Sequence, residues 1–264
     1  MADGPRTAAF FDLDKTIIAM SSSSALSRPL LEGGLLTRTA ALRTAYASLL
    51  FHMGSADERQ TNRLRDALAE LIRGWEVARL KEILDETLEE HIDPVVYEEA
   101  LELIRLHHEY GRDVIVVSAS AKEVVEPIAD LLGADGVIAT EMAIEDGRFT
   151  GEIDFYAFGP NKAHAIEMLA AERGYDLDRC FAYSDSITDA PMLAVVGHGY
   201  AVNPDRALRR EAVEHGWGVL HFRKPVALRS GASRASVAVG IALIAGAVIG
   251  VWLLARAAQR RRLD

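Results

Sequence analysis

Disulfides and zinc clusters are absent from this sequence. It contains one cysteine in 264 residues, so no disulfide can form within the chain, and no cluster of Cys and His has zinc-site spacing. An apolar leader is also missing, because Phe10 and Phe11 already belong to a predicted first strand and leave no room for a cleavable signal peptide. We therefore expect a fold held by an apolar core, for which 50% hydrophobic residues are sufficient.

Positive charge is scarce in most of the chain. Residues 1–222 contain 21 Lys and Arg against 38 Asp and Glu, a net charge of −17, whereas the remaining residues contain eight basic side chains and one acid, a net charge of +7. An acidic body of this kind is a poor binder of nucleic acid. The overall charge of −10 thus joins two different parts.

The basic end brackets a segment without any charge. Residues 235–255 are 21 uncharged residues, and as a helix they would span roughly 31 Å, the thickness of a bilayer core. We predict a basic linker at residues 223–234, a transmembrane helix at residues 235–255 and a basic tail at residues 256–264. Arginines on both sides leave the orientation open, but the missing leader favours a single-pass membrane protein whose body is cytoplasmic.

Small residues recur at every fourth position of this span, at Ala238, Ala242, Gly246 and Gly250. Such a stripe lets two helices approach closely, so the span could support a homodimer. Alanine and glycine are also common in such segments, and the sequence leaves the oligomeric state open.

Short β-like runs alternate with amphipathic stretches in the body. The predicted strands are residues 7–11, 113–118, 136–139, 180–184, 199–202 and 218–222, and the predicted helices are residues 94–110, 121–132, 161–173 and 204–215. This alternation indicates an α/β fold with a doubly wound, Rossmann-like parallel sheet and helices on both faces. Asp146 and Gly147 predict the turn of a short β-hairpin within residues 142–153.

One stretch breaks the alternation. Residues 18–93 contain no convincing strand and predict several helices, among them residues 35–53, 56–75 and 76–91. We therefore divide the body into a core at residues 1–17 and 94–222 and a small helical domain at residues 18–93, inserted directly after the first strand.

Chemically active side chains follow the predicted strands. The first strand is followed by DLDKT, in which Asp12 and Asp14 can face one site, one as a nucleophile and the other as a proton shuttle. In an open parallel sheet, ligands bind at the carboxyl ends of strands, where these side chains lie. An isolated pair of aspartates is more often a solvated acidic turn, so the interpretation depends on the other strands.

Later strands supply groups for a phosphate and a cation. Ser118, with backbone N–H groups at the start of the following helix, would cradle a phosphate, and Lys162 could add positive charge. Asp185 and Asp189 in SDSITD are four residues apart and can point at one locus. Asp12, Asp185 and a backbone oxygen are hard ligands of the kind that Mg²⁺ prefers.

Four sequence elements occur together in a fixed order. DLDKT, the strand-terminal Ser118, the helix-borne Lys162 and SDSITD resemble the four motifs of the haloacid dehalogenase superfamily of phosphohydrolases. The resemblance covers residues 7–222, and the inserted helices resemble the type I cap of that superfamily. The nearest group is its phosphoserine-phosphatase-like branch, subfamily IB, in particular the bacterial members with a membrane tail.

The resemblance implies roles for the reacting groups. Asp12 would be the nucleophile that becomes an aspartyl phosphate. Asp14 would be the general acid that protonates the leaving oxygen and then the general base that activates water. Ser118, Ala119 and Lys162 would bind the phosphate.

The resemblance also implies a metal site and two supporting residues. Carboxylates of Asp12 and Asp185, with the backbone carbonyl of Asp14, would hold Mg²⁺. Thr16 would orient the loop, and Asp189 would orient Lys162 or the metal waters.

One departure from the family pattern concerns the substrate. Phosphoserine phosphatases carry a glutamate shortly after the first motif, whereas residues 17–24 of this chain contain no acid.

We therefore expect a membrane-tethered, Mg²⁺-dependent phosphatase that acts on a small phosphorylated metabolite or a lipid headgroup phosphate. One alternative is a phosphotransferase or mutase of the same superfamily, in which an acceptor other than water takes the phosphoryl group. Another is a non-catalytic membrane-anchored regulator on this fold, for which a broken motif would be expected and none is broken. The physiological substrate cannot be read from the sequence.

Overall fold

The computed structural model describes residues 6–37, 65–66, 69–92, 95–223 and 225–226. They fall in the first of two compact units, residues 1–228, whereas the second unit, residues 229–264, lies outside the described residues. The predicted transmembrane helix and basic tail therefore lie outside them too, as do most of the predicted helices at residues 35–53 and 56–75. Within the described ranges, no helix is both long enough and apolar enough to cross a membrane.

Seven strands form the central sheet. Side by side they are β5 (Arg148–Phe155), β4 (Gly136–Glu145), β3 (Asp113–Ala121), β1 (Ala8–Asp12), β6 (Phe181–Ser184), β7 (His198–Val202) and β8 (Gly218–Leu220). All neighbours pair in parallel except β4 and β5, which are antiparallel. The predicted α/β fold with a mostly parallel sheet is confirmed.

Helices cover both faces of this sheet. The described α-helices are α1 (Ser22–Ala25), α2 (Ser27–Glu32), α3 (Val77–His91), α4 (Glu98–Glu109), α5 (Lys122–Leu132), α6 (Pro160–Arg173), α7 (Ala190–Ala194) and α8 (Arg206–His215). Every residue of β1 is buried, and its side chains alternate between two apolar layers. Phe11 belongs to the layer formed with α3, α4 and α5, and Phe10 belongs to the layer formed with α6, α7 and α8.

The hairpin of β4 and β5 turns at the predicted residues. Asp146 and Gly147 have φ angles of 49° and 75°, as a type I′ turn requires. The hairpin is longer than predicted and runs from Gly136 to Phe155.

A short extended stretch before α3 is hydrogen-bonded to this hairpin. The N–H of Gly74 donates to the carbonyl of Phe149 at 2.8 Å, and the N–H of Phe149 donates to the carbonyl of Trp75 at 3.1 Å. The N–H of Val77 donates to the carbonyl of Gly147 at 3.0 Å. This part of the predicted helical insertion is thus joined to the core through the backbone of β5.

Several predicted boundaries are wrong, and β3 continues to Ala121 beyond its predicted end at residue 118. The helix predicted from residue 94 begins at Glu98, because Val96–Tyr97 forms a two-residue strand, β2, that pairs antiparallel with β9 (Pro225–Val226). The strand predicted to extend to residue 222 ends at Leu220. After it, Phe222 exchanges two hydrogen bonds, each 3.0 Å long, with the side-chain amide of Asn203.

Candidate active site

The carboxyl ends of three adjacent strands bring the predicted residues to one edge of the sheet. Asp12 is the last residue of β1 and is aligned with Val117 of β3, so Ser118 lies one residue beyond it on the neighbouring strand. On the other side of β1, Phe11 is aligned with Tyr183 of β6, which places Ser184 and the following acidic loop beside Asp12. The parallel pairing therefore assembles groups that are far apart in the sequence.

A buried lysine bridges two buried aspartates at this edge. The Nζ of Lys162 lies 2.7 Å from Oδ1 of Asp12 and 2.8 Å from Oδ2 of Asp189. The three residues are only 2%, 6% and 3% exposed, respectively. Burial alone would lower the pKa of Lys162, but the two carboxylates raise it above its ordinary value, so the lysine is a cation.

Backbone geometry explains how this lysine reaches the sheet. Helix α6 begins with Pro160 directly after Gly159, whose φ of 55° combined with ψ of −128° is a backbone conformation that only glycine adopts readily. Lys162 therefore lies in the first turn of α6, with its side chain directed to the end of β1. The Lys162–Asp12 contact joins residues 150 positions apart.

Hydroxyl groups fix both aspartates. Thr16 donates its hydroxyl hydrogen to Oδ2 of Asp12 at 3.2 Å, and Ser184 donates to Oδ2 of Asp189 at 2.8 Å. The sequence analysis assigned no role to Ser184, which is the first residue of SDSITD. The sequence signal that could have identified it is a serine at the end of a predicted strand, five residues before an aspartate.

The electrostatics of the acidic residues favour a divalent cation. Burial raises the pKa of Asp12 well above its usual value, Lys162 opposes this, and the charges of Asp189 and Asp185 reinforce it. Burial likewise raises the pKa of Asp185 to about 7, with Lys15 opposing and Asp189 reinforcing. A metal ion near these two carboxylates would stabilise their ionised forms, and two carboxylates with one backbone carbonyl are a donor set that fits Mg²⁺.

The structure has no larger cluster of metal ligands in its described part. No group of three or more His, Cys, Asp or Glu side chains there is arranged to hold a metal ion. The predicted Mg²⁺ site does not need such a group, because its third protein ligand is the backbone carbonyl of Asp14. The metal assignment remains a prediction.

Asp14 lies in a tight turn after β1. Lys15 adopts a left-handed conformation with φ of 63°, and the N–H groups of Ile17 and Ile18 both donate to the carbonyl of Leu13 at 3.0 Å. The N–H of Ser22 donates to Oδ1 of Asp14 at 2.7 Å. Burial raises the pKa of Asp14, and the hydrogen bonds from Ser22 oppose that rise.

Two of the predicted phosphate-binding residues, Ser118 and Ala119, belong to β3 and lie on the opposite side of Asp12 from β6. Ser118 is 1% exposed, and its Oγ accepts a hydrogen bond from the N–H of Ser120 at 3.2 Å. The carbonyl of Ala119 accepts from the hydroxyl of Thr140 at 2.7 Å, which fixes the peptide between Ala119 and Ser120. The roles of Ser118, Ala119 and Lys162 in phosphate binding remain predictions.

Comparison with known proteins identifies related chains. The family model described as haloacid dehalogenase-like hydrolase matches residues 9–194. The chain is 57% identical over 269 residues to the "Inhibition of morphological differentiation protein" of Streptomyces azureus, covering 98% of this chain and 96% of that protein. It is 50% identical over 258 residues to a "Probable phosphatase" of Mycobacterium tuberculosis (strain H37Rv), covering 95% and 90%. It is 35% identical over 257 residues to the phosphoserine phosphatase SerB1 of the same strain, covering 97% and 81%.

Proposed function

Because this chain belongs to the haloacid dehalogenase-like hydrolase family and is similar to phosphatases over most of its length, we propose that it is a Mg²⁺-dependent phosphomonoester hydrolase acting through an aspartyl phosphate. The buried cluster of Asp12, Lys162 and Asp189 is the observation that carries this proposal. It holds an anionic nucleophile beside a fixed positive charge, as transfer of a charged phosphoryl group requires.

In the first step, a carboxylate oxygen of Asp12 attacks phosphorus, and the bond between phosphorus and the leaving oxygen breaks. Asp14 gives its proton to that oxygen, so the product leaves as a neutral alcohol. Burial raises the pKa of Asp14, which favours the protonated form that this step needs. Lys162, the Ser118 hydroxyl and the Ala119 N–H would stabilise the phosphoryl oxygens.

In the second step, Asp14 acts as a base. Its carboxylate removes a proton from a water molecule, whose oxygen attacks phosphorus while the bond to Asp12 breaks. Inorganic phosphate leaves, and Asp12 returns to its original state. Mg²⁺, held by Asp12, Asp185 and the Asp14 carbonyl, would neutralise phosphate charge in both steps.

For the substrate we propose a small phosphorylated metabolite or a lipid headgroup phosphate. One relative is named a phosphoserine phosphatase, but residues 17–24 of this chain lack an acidic side chain to meet a substrate ammonium group. Ser21 lies in that place and is half-buried, and its hydroxyl suits a neutral polar group better than a cation.

We also propose that the enzyme is tethered by residues 235–255 as a single membrane span, with the catalytic unit in the cytoplasm. The 21 uncharged residues and the flanking arginines support this, and the stripe of small residues could pair two such spans. Deleting all residues after Lys224 should move the protein from the membrane to the soluble fraction. A truncated chain that still sediments with membranes would refute the tether.

The catalytic proposal is tested with Asp12→Asn. This change should abolish Mg²⁺-dependent phosphate release from p-nitrophenyl phosphate, whereas the matched surface change Asp130→Asn on α5 should leave it intact. Undiminished release by the Asp12 variant would refute the nucleophile. Adding alcohols tests the rival reaction, because a phosphotransferase would form new phosphate esters instead of inorganic phosphate.

A further inference from the structure

The start of the insertion is bound to the catalytic loop through one buried serine. Ser22, the first residue of α1, has no exposed surface. Its N–H donates to Oδ1 of Asp14 at 2.7 Å, and its hydroxyl shares a hydrogen bond of 3.0 Å with the hydroxyl of Ser120. The N–H of Ser120 in turn donates to Oγ of Ser118 at 3.2 Å. These bonds form a continuous path from Asp14 to Ser118.

The path constrains the direction in which Asp14 presents its proton. The N–H of Ser22 holds Oδ1 of Asp14, and a hydrogen bond from the Ser22 side chain also acts on this carboxyl group, so Ser22 fixes the direction in which the group faces substrate or water. The position of the Ser22 N–H depends on where the chain leaves the core, and the Ser120 hydroxyl holds that point against the end of β3. The orientation of Asp14 therefore depends on a contact between the insertion and the core.

We propose that Ser22 and Ser120 are positioning residues that hold Asp14 in line with the leaving oxygen of the substrate. This inference rests on the proposed phosphatase function. In the step concerned, the bond from Asp12 to phosphorus forms, the bond from phosphorus to the leaving oxygen breaks, and the proton on the Asp14 carboxyl group moves to that oxygen. Neither serine needs to touch the substrate for this effect.

Two esters that differ in their need for an acid separate this role from a purely structural one. p-Nitrophenyl phosphate loses a stable anion and needs little protonation, whereas a simple alkyl phosphate loses a strongly basic alkoxide and needs a well-placed acid. The value of kcat/KM covers the steps up to departure of the leaving group, so the later hydrolysis step, common to both esters, does not enter. The comparison uses the full chain with Mg²⁺ in mild detergent.

Ser22→Ala should lower kcat/KM for the alkyl ester about tenfold and for the nitrophenyl ester by no more than about twofold. Ser120→Ala should reproduce this selective loss, because it removes the other half of the same contact. Ser22→Thr, which keeps the hydroxyl, should restore most of the activity on the alkyl ester. Ser23→Ala is the matched control, since Ser23 is exposed on the same helix and its hydroxyl contacts that of Ser21.

Three outcomes would overturn the inference. Equal losses on both esters would show that the serines act on phosphate binding or on folding, and unchanged activity on both would show that the contact is dispensable. A selective loss in Ser22→Ala that Ser120→Ala does not share would show that Ser120 does not help to position Asp14. If the unmodified protein releases phosphate from neither ester, the proposed function itself fails, and this result is distinct from the other three.

Discussion

Lys162→Met tests how the active site is held together before any substrate arrives. The change replaces a buried ammonium group by an apolar chain of similar length and leaves Asp12 and Asp189 without their shared cation. We expect the folded protein to lose much of its stability near neutral pH, because two carboxylates that stay buried would then face each other uncompensated.

The contact distances set the size of this effect. The nearest oxygen of each carboxylate is 2.7–2.8 Å from Nζ, and at an effective dielectric constant near 20 each attraction amounts to about 6 kcal/mol before any desolvation is counted. Desolvation of the lysine offsets much of this, so the net cost of removing one partner from such a buried group is about 3–5 kcal/mol. That is a large fraction of the roughly 5–15 kcal/mol that stabilises a typical domain.

The loss should depend on pH. Burial already raises the pKa of Asp12, and without Lys162 that pKa would rise further. An acid whose folded pKa lies above its unfolded value favours folding at low pH and loses that contribution as pH rises through the folded value. The difference in stability between variant and parent should therefore be larger at about pH 7.5 than at about pH 5.5.

Urea unfolding of the full chain in detergent, with a chelator present, measures both effects. Lys162→Met combined with Asp189→Asn is the matched control, because it removes one of the two unpaired charges and should recover part of the loss. A loss below about 1 kcal/mol at neutral pH, or a loss that does not shrink in acid, would refute the electrostatic reasoning.

Two further predictions concern protons and metal. Mg²⁺ should raise the free energy of unfolding by about 1–3 kcal/mol more at about pH 8 than at about pH 5.5. The pKa of Asp185 is raised to about 7, and below that pH a proton competes with the metal for its carboxylate. Urea unfolding with and without Mg²⁺ at each pH measures the gain, and an equal gain at both pH values would contradict this prediction. Burial, helped by the charges of Arg112 and His108, lowers the pKa of His107 to about 4. The neutral ring therefore stabilises the fold fully above about pH 6.5, and that contribution is lost as the pH falls toward 4. His107→Gln, which can still bond to the hydroxyl of Tyr183, should remove about 2–3 kcal/mol of this acid sensitivity, and an unchanged pH profile of urea unfolding would count against it.

The sequence predicted the features that depend on local pattern. Continuous apolar runs marked β1 and β3, and Asp146 with Gly147 marked a turn whose positive φ angles the structure confirms. Parallel pairing then explains why Asp12 and Lys162 meet although they are 150 residues apart. A strand end and a helix start at the same edge of a sheet are predictable from order alone.

Contacts between distant short segments could not be predicted in this way. Strand β2 has two residues and forms because its backbone pairs with residues 225–226. The local sequence favours a helix and therefore gives no sign of this strand. Ser22 belonged to a run of serines without periodicity, and Ser120 was one small residue after a strand. Their hydrogen bond depends on where the inserted segment meets the core, and that position is a property of the folded chain.

The predicted insertion is bound to the core by short contacts at two described places. At its start, the N–H of Ser22 holds Asp14, and before α3 the backbone of residues 74–77 is hydrogen-bonded to β5. The guanidinium of Arg148 reinforces the second contact by donating to the carbonyl of Gly74 at 2.9 Å and by pairing with Glu76. A segment fixed at these two places cannot swing about its start alone without breaking hydrogen bonds to the β4–β5 hairpin. A rotation of α3 about residues 18–22 must therefore carry this hairpin along or break the hydrogen bonds at residues 74–77.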